Sequence, residues 1–283
     1  MIAARPPRSA ASRTARRALR IALAALGALA ACKGDAPAAQ ARARESSATG
    51  DPAAPAEIVI ARPSSRYQPD PAASGGAITG TVTAPASLTA GAPISTGRDS
   101  AVCGPAIEDS SVARQGNGLG GAIVWLDDIR RGRPLPLERR LELESIKCRL
   151  TPRVQAGVVG STVNVIGHDA FRQHLRFLAG GEPEPRAAVL LDQYEQVIPT
   201  ERPLAETGLV VVRDKDHAWP TAYIAAFDHP YFAVTAPNGT FRIDAVPPGR
   251  YRLRVWHERA RDTTQVVDVG AGGATVNVTL GAK

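Results

Sequence analysis

Residues Tyr231 to Glu258 read YFAVTAPNGTFRIDAVPPGRYRLRVWHE, and their pattern decides the fold class. From Thr240 to Asp244, apolar Phe241 and Ile243 alternate with Thr240, Arg242 and Asp244. From Arg250 to Val255, Tyr251, Leu253 and Val255 alternate with three arginines. A period of two marks antiparallel strands with one buried face and one wet face. Asn238-Gly239 supplies the positive φ angles of a tight hairpin. Pro247-Pro248-Gly249 suits a type II turn, with Pro248 at its second position and Gly249 at its third.

Working outward, short strand patterns recur with Gly and Pro between them. They fall at Ala77–Thr83, Gly121–Leu126, Gly160–Ile166, Leu175–Leu178, Gly208–Val212, Thr221–Phe227, Gln265–Val269 and Ala274–Leu280. Leu141 to Leu150 reads as a strand whose parity changes near Ser145, which predicts a bulge or bend. Ala187 to Val197 is expected to hold a helical turn or two. Many short strands without a long helix predict an all-β sandwich class.

The two ends of this pattern resemble a known family. GAITGTV near residue 76, GGAIVWL near 120 and TAPNGTFRIDAVPPGRYRLRVW are similar to a carboxypeptidase regulatory-like domain. That resemblance implies a transthyretin-like, prealbumin-type Greek-key sandwich. About a hundred residues separate motifs that lie close together in the family. Within the gap, CRLTPRVQAGVVGSTVNVIGHDAFRQHLRF and the later VVVRDKDHAWPTAYIAAFDHPYF resemble cupredoxin-like proteins of the methylamine-utilisation type. The implied architecture is a regulatory-like sandwich of residues 76–139 plus 230–283, with a cupredoxin-like insert at 140–229. A single merged sandwich is the alternative.

The insert raises the question of copper. A type 1 site needs a thiolate and two imidazoles, usually with a weak axial methionine. His217 and His174 match the family's histidines, but its cysteine position holds Asp214 and its methionine position holds Pro220. The soft-sulfur half is missing, which argues against a blue-copper electron carrier. His174, His217 and Asp214 remain candidates for a type 2 copper or zinc site. The competing reading makes the two histidines relics of a degenerate site, with His229 and His257 structural.

The start of the chain points to export. Residues 1–20 carry six arginines and no acid, and Ile21–Ala31 is apolar but too short to span a bilayer. Leu29-Ala30-Ala31-Cys32 resembles the bacterial lipobox, which implies cleavage after residue 31 and lipidation of Cys32. Several acyl chains on one residue give lasting anchoring. Arg16-Arg17 leaves twin-arginine export open beside the general route. Lys33, in place of an aspartate, favours an outer membrane facing the periplasm. Residues 32–75, rich in Ala, Pro, Ser and Gly, are expected to form a flexible tether.

Removing the six arginines takes the formal charge from +7 to +1, so the basic balance gives no support to nucleic-acid binding. With Cys32 lipidated, Cys103 and Cys148 are left as an even pair in an exported chain, and a disulfide between them is expected. A thiolate metal ligand is the weaker alternative. No G-x-S-x-G, H-E-x-x-H, C-x-x-C or phosphate loop occurs, so no enzyme is expected. The expected function is a non-catalytic, lipid-anchored envelope protein that binds a protein or a glycan. Trp125, Trp219 and Trp256 are its candidate sugar platforms, although core packing is the expected use of at least two of them. The alternative is a periplasmic copper- or zinc-binding protein.

Overall fold

The computed structural model describes residues 67–283 except 181 and 183, and those residues are almost entirely β. The signal segment, the lipobox and Cys32 lie outside the described residues. Four principal sheets stack around three apolar layers.

In the first sandwich, Gly76–Thr83 lies between Thr240–Val246 and Gly118–Gly120, and Gly273–Thr275 and Val278–Thr279 also pair with it in parallel. The opposing sheet runs Phe232–Val234, Ile123–Leu126, Gly249–His257, Ala260–Val269. Ile78, Val82, Phe241 and Ile243 meet Val124, Leu126, Leu253 and Val255 between the two. Phe241, Ile243, Leu253 and Val255 are residues that the alternation between Thr240 and Val255 assigned to the buried face.

The stretch from Tyr231 to Glu258 is not a hairpin. Gly239 takes a positive φ of 80° and its N–H closes a turn onto the Ala236 carbonyl, but the strands on either side join different sheets. Pro247-Pro248 is a second crossing. Gly249 is not among the positive-φ residues, and the left-handed position falls on Ala245 (φ 54°), where the ladder shifts register between Ile243 and Val246. Both turns therefore hand the chain from one face of the core to the other, as a sandwich requires.

The second sandwich pairs Arg149–Thr151, Arg140–Ile146, Thr162–Gly167 and Gln196–Pro199 in one sheet. The other runs Val154–Val158, Thr221–Phe227, Gly208–Asp214, Gln173–Ala179, Ala187–Leu191. Two pairings are parallel, Arg140–Ile146 with Thr162–Gly167 and Val154–Val158 with Thr221–Phe227. Leu143, Val163, Val165, Leu175, Phe177, Val212 and Ile224 fill its core.

Two local expectations fail here. Ala187–Val197 contains strands rather than helical turns, because Val189 and Leu191 point into the core opposite Gln173–Phe177. A short apolar run carries no period that separates the two states. The parity change near Ser145 is a hairpin, not a bulge. Ile146 pairs with Arg149 across Lys147 and Cys148, whose φ angles are 51° and 58°. Left-handed backbone is unfavourable for such residues by roughly 1–2 kcal/mol each, so the tertiary contacts of Cys148 described below must hold this turn.

The tether expectation also changes at its end. Gln68–Pro69 pairs with Arg131–Gly132, and the Tyr67 hydroxyl donates to the Arg133 carbonyl at 2.5 Å. Residues 67–69 are thus part of the folded unit.

A third apolar layer joins the sandwiches. Ile123, Trp125 and Trp256 from the first meet Val154, Ala225 and Phe227 from the second. Beside them Arg153 donates to both carboxylate oxygens of Glu258, at 2.6 and 2.8 Å. The Cys103–Cys148 disulfide, with Cα atoms 5.6 Å apart, is a third link.

Candidate functional site

The expected metal residues lie at one end of the second sandwich, where Gly208–Asp214 turns into Thr221–Phe227. Asp214 is the centre of that turn. Its Oδ1 accepts the N–H groups of Asp216 (2.7 Å) and His217 (2.8 Å) and the Nδ1 of His217 (2.9 Å). Its Oδ2 accepts the N–H of His174 from the neighbouring strand at 2.8 Å. The Lys215 N–H returns to the His174 carbonyl at 2.9 Å. The Asp214 side chain is fully buried, and a carboxylate offers about four acceptor sites. Oδ1 thus carries three hydrogen bonds and Oδ2 one, and all of them fold the turn or tie it to the neighbouring strand.

His217 is held in the same way. Its Nε2 lies 3.2 Å from Asp99 Oδ2, and its ring packs edge-on to Phe171 and against Trp219, with centroids 5.3 and 4.9 Å apart. The His174 imidazole turns elsewhere, placing Nδ1 2.5 Å from Asp216 Oδ2. That hydrogen bond holds the exposed Asp216 carboxyl below its usual range. His174, His217 and Asp214 therefore do not converge. Among the described residues no group of three His, Cys, Asp or Glu side chains is arranged to hold a metal. The two imidazoles turn to different carboxylates, His174 to Asp216 and His217 to Asp214 and Asp99, so the three side chains present no shared open position for a copper or zinc ion.

A loop from the first sandwich covers this end. Ile94–Ser95 pairs with Ala106–Ile107, closing a small loop around the helical turn Ser100–Cys103. The Thr96 hydroxyl donates to the Gly104 carbonyl across its neck. The loop brings Asp99 to His217, and Ile94, Cys103 and Ile107 to Phe171, Trp219 and Cys148. The disulfide fastens it. On the far side, Asp169 Oδ2 accepts the Cys148 N–H and the Ser145 hydroxyl, both at 2.9 Å. Gln173 donates to Ser145 at 2.7 Å, so the left-handed turn at Cys148 is fixed from two directions.

The contacts at Asp99, Phe171, Trp219 and Cys148 are long-range. No local sequence signal links a loop at residues 94–107 to a turn at 214–220.

Two of the remaining histidines are buried and bonded to the backbone. His229 and His257 are both almost fully buried. His229 Nδ1 accepts the Tyr231 N–H at 3.1 Å, and His257 Nδ1 accepts the Arg259 N–H at 3.2 Å. Burial pushes the pKa of each down to about 4. His168 is different: its Nδ1 lies 3.0 Å from Glu195 Oε1 at the surface, and this bond raises its pKa.

Trp125, Trp219 and Trp256 do not serve as exposed sugar platforms. They are 2, 9 and 3% exposed, and Arg254 lies over the Trp125 ring at 5.1 Å. Neither are the arginines of Gly249–His257 a free charged face. Arg252 and Arg254 pair with Asp127 at 3.2 and 3.3 Å.

The carboxypeptidase regulatory-like domain family matches residues 207–281. The matched span begins in the second sandwich and continues through the closing strands of the first. No curated protein matches the chain. Among solved structures, a copper-containing nitrite reductase from Thermus scotoductus SA-01 is 17% identical over 35% of this chain, with a TM-score of 0.28. The match covers 24% of the reductase, so this chain spans about a quarter of its length. A methionine-to-alanine variant of amicyanin in its Cu(I) form is 18% identical, with a TM-score of 0.26, over 33% of this chain and 97% of that one. An oxidised proline-to-alanine amicyanin variant is 18% identical over 32% and 86%, with a TM-score of 0.27.

Proposed function

We propose that the chain is a non-catalytic, lipid-anchored accessory protein of the cell envelope that binds a protein partner. One observation carries this reading. The end of the second sandwich, where the cupredoxin resemblance would place copper, holds a buried carboxylate that takes four hydrogen bonds from its own turn and the neighbouring strand, and a disulfide-fastened loop covers it. Residues that would otherwise hold a reactive centre are committed to folding.

A protein partner is favoured over a glycan because the three indoles that could stack on sugar rings are in the cores. Anchoring would come from Cys32, with the sandwiches facing the periplasm from the outer membrane. The fold by itself assigns no activity. Extraction of untagged protein from membranes, followed by metal analysis and an absorption spectrum, tests the reading. It expects far less than one copper or zinc per chain. A stoichiometric metal, with or without visible colour, would replace it by the metal-carrier alternative.

A further inference from the structure

We propose that the cleft beside Trp219 binds a carboxylate group through Arg149 and the indole N–H. This goes beyond the accessory role by assigning a ligand chemistry to one place. The cleft, about 50 Å³, lies where the covering loop meets the Arg149–Thr151 strand and the Ala218–Thr221 turn. Two independent observations point to an acceptor ligand.

First, Trp219 lines the cleft, and its Nε1 is buried without a hydrogen-bond partner. An indole nitrogen can only donate, so an acceptor has to complete it. Secondly, the half-buried Arg149 lines the same cleft, and its guanidinium makes no hydrogen bond or ion pair with the described residues.

The other charges around the cleft are spent or exposed. Arg153 is neutralised by its two bonds to Glu258. Asp109 accepts the Gly91 N–H at 2.5 Å and both the N–H and hydroxyl of Ser111 at 2.8 Å. Glu108 is exposed and has no such partners.

A planar guanidinium matches a carboxylate with two parallel bonds, which a single point charge does not. The volume favours the head group alone. One water needs roughly 10–15 Å³ of such space, so this cleft holds a few heavy atoms and not a sugar ring. The carboxylate could belong to a free small acid or to an acidic residue presented by a peptide.

Nuclear magnetic resonance of the 15N-labelled full chain, titrated with sodium acetate against sodium chloride at matched ionic strength, tests this. The Trp219 indole signal, assigned by its loss in Trp219→Phe, should move saturably while those of Trp125 and Trp256 stay still. Arg149→Ala should weaken binding about tenfold or more, as expected for a charged hydrogen bond. Glu108→Gln, which removes the nearby negative charge, should strengthen it. Repeating the titration with an acidic peptide and its amidated counterpart distinguishes the two sources: tighter binding by the acidic peptide than by acetate favours presentation by a partner. If Trp219→Phe fails to fold, the Arg149 Nε–H signal provides the same titration. No saturable shift with either ligand, an equal shift in Arg149→Ala, or an equal shift of all three indoles would overturn the proposal.

Discussion

Acidification should unfold this protein through two histidines that do no chemistry. His229 and His257 are buried, and desolvation depresses each from an ordinary value near 6.5 to about 4. A neutral buried imidazole becomes easier to protonate once the chain unfolds. The stability it contributes is therefore complete above the unfolded pKa and is lost as pH falls towards the folded one. For these shifts, linkage gives a loss on the order of 2 kcal/mol per histidine between pH 7 and 4.5, and roughly twice that together. That is a large share of the roughly 5–15 kcal/mol stabilising most folded proteins.

Urea unfolding at a series of pH values measures the loss directly. In each histidine the Nδ1 accepts a backbone N–H, so asparagine can offer an oxygen at a similar position. His229→Asn and His257→Asn should each remove about half of the pH slope, whatever they cost at neutral pH. Carboxyl pKa values raised by desolvation at Asp228 and Asp262 act in the opposite direction, and raised His168 contributes only below its folded pKa. A wild-type slope that survives in the double variant would refute the assignment.

Breaking the Cys103–Cys148 disulfide by reduction or by paired serines should lower stability by about 4 kcal/mol, from the loop entropy of its 45-residue separation. Hydrogen exchange should then rise first in the loop at 94–107. Asp214→Ala removes the acceptor for three backbone N–H groups and should cost about 3 kcal/mol or more by chemical denaturation. An unchanged denaturation midpoint would mean that the turn does not depend on this carboxylate. Cys32→Ser should move the protein from the membrane pellet to the soluble fraction and abolish labelling with a fatty acid. Retention in the pellet would point to a different anchor.

Local alternation made the strands legible, and Phe241, Ile243, Leu253 and Val255 point where their parity puts them. Which strands would pair was not legible. The turns at Asn238-Gly239 and Pro247-Pro248-Gly249 carry the residues of hairpins, but turn chemistry specifies a reversal of the chain and leaves open whether it stays in the same sheet. Lys147 and Cys148 were missed as a turn for the opposite reason, since neither residue favours positive φ. A disulfide and Asp169 fix Cys148 in that conformation, and both are distant in sequence.

The candidate site was half legible. The replacement of a soft ligand by Asp214 could be read directly, as could the histidine at 217. That Asp214 would accept four hydrogen bonds from its own turn and the neighbouring strand, and that Asp99 would arrive from a loop more than a hundred residues earlier, depends on tertiary geometry. Core packing is the expected use of at least two of the three tryptophans, but that all three are buried was not legible, because tryptophan suits a core and an exposed platform alike.

The sharpest test of the structural role of Asp214 is thermal unfolding of untagged protein in EDTA, in Cu2+ and in Zn2+. A metal present at a hundred times its dissociation constant would add about 2.7 kcal/mol, which for a protein of this size raises the midpoint by roughly 5–10 °C. A carboxylate bonded into its own turn, with His174 and His217 facing different partners, predicts three coincident curves. A saturable rise in wild-type protein that Asp214→Asn abolishes would contradict it.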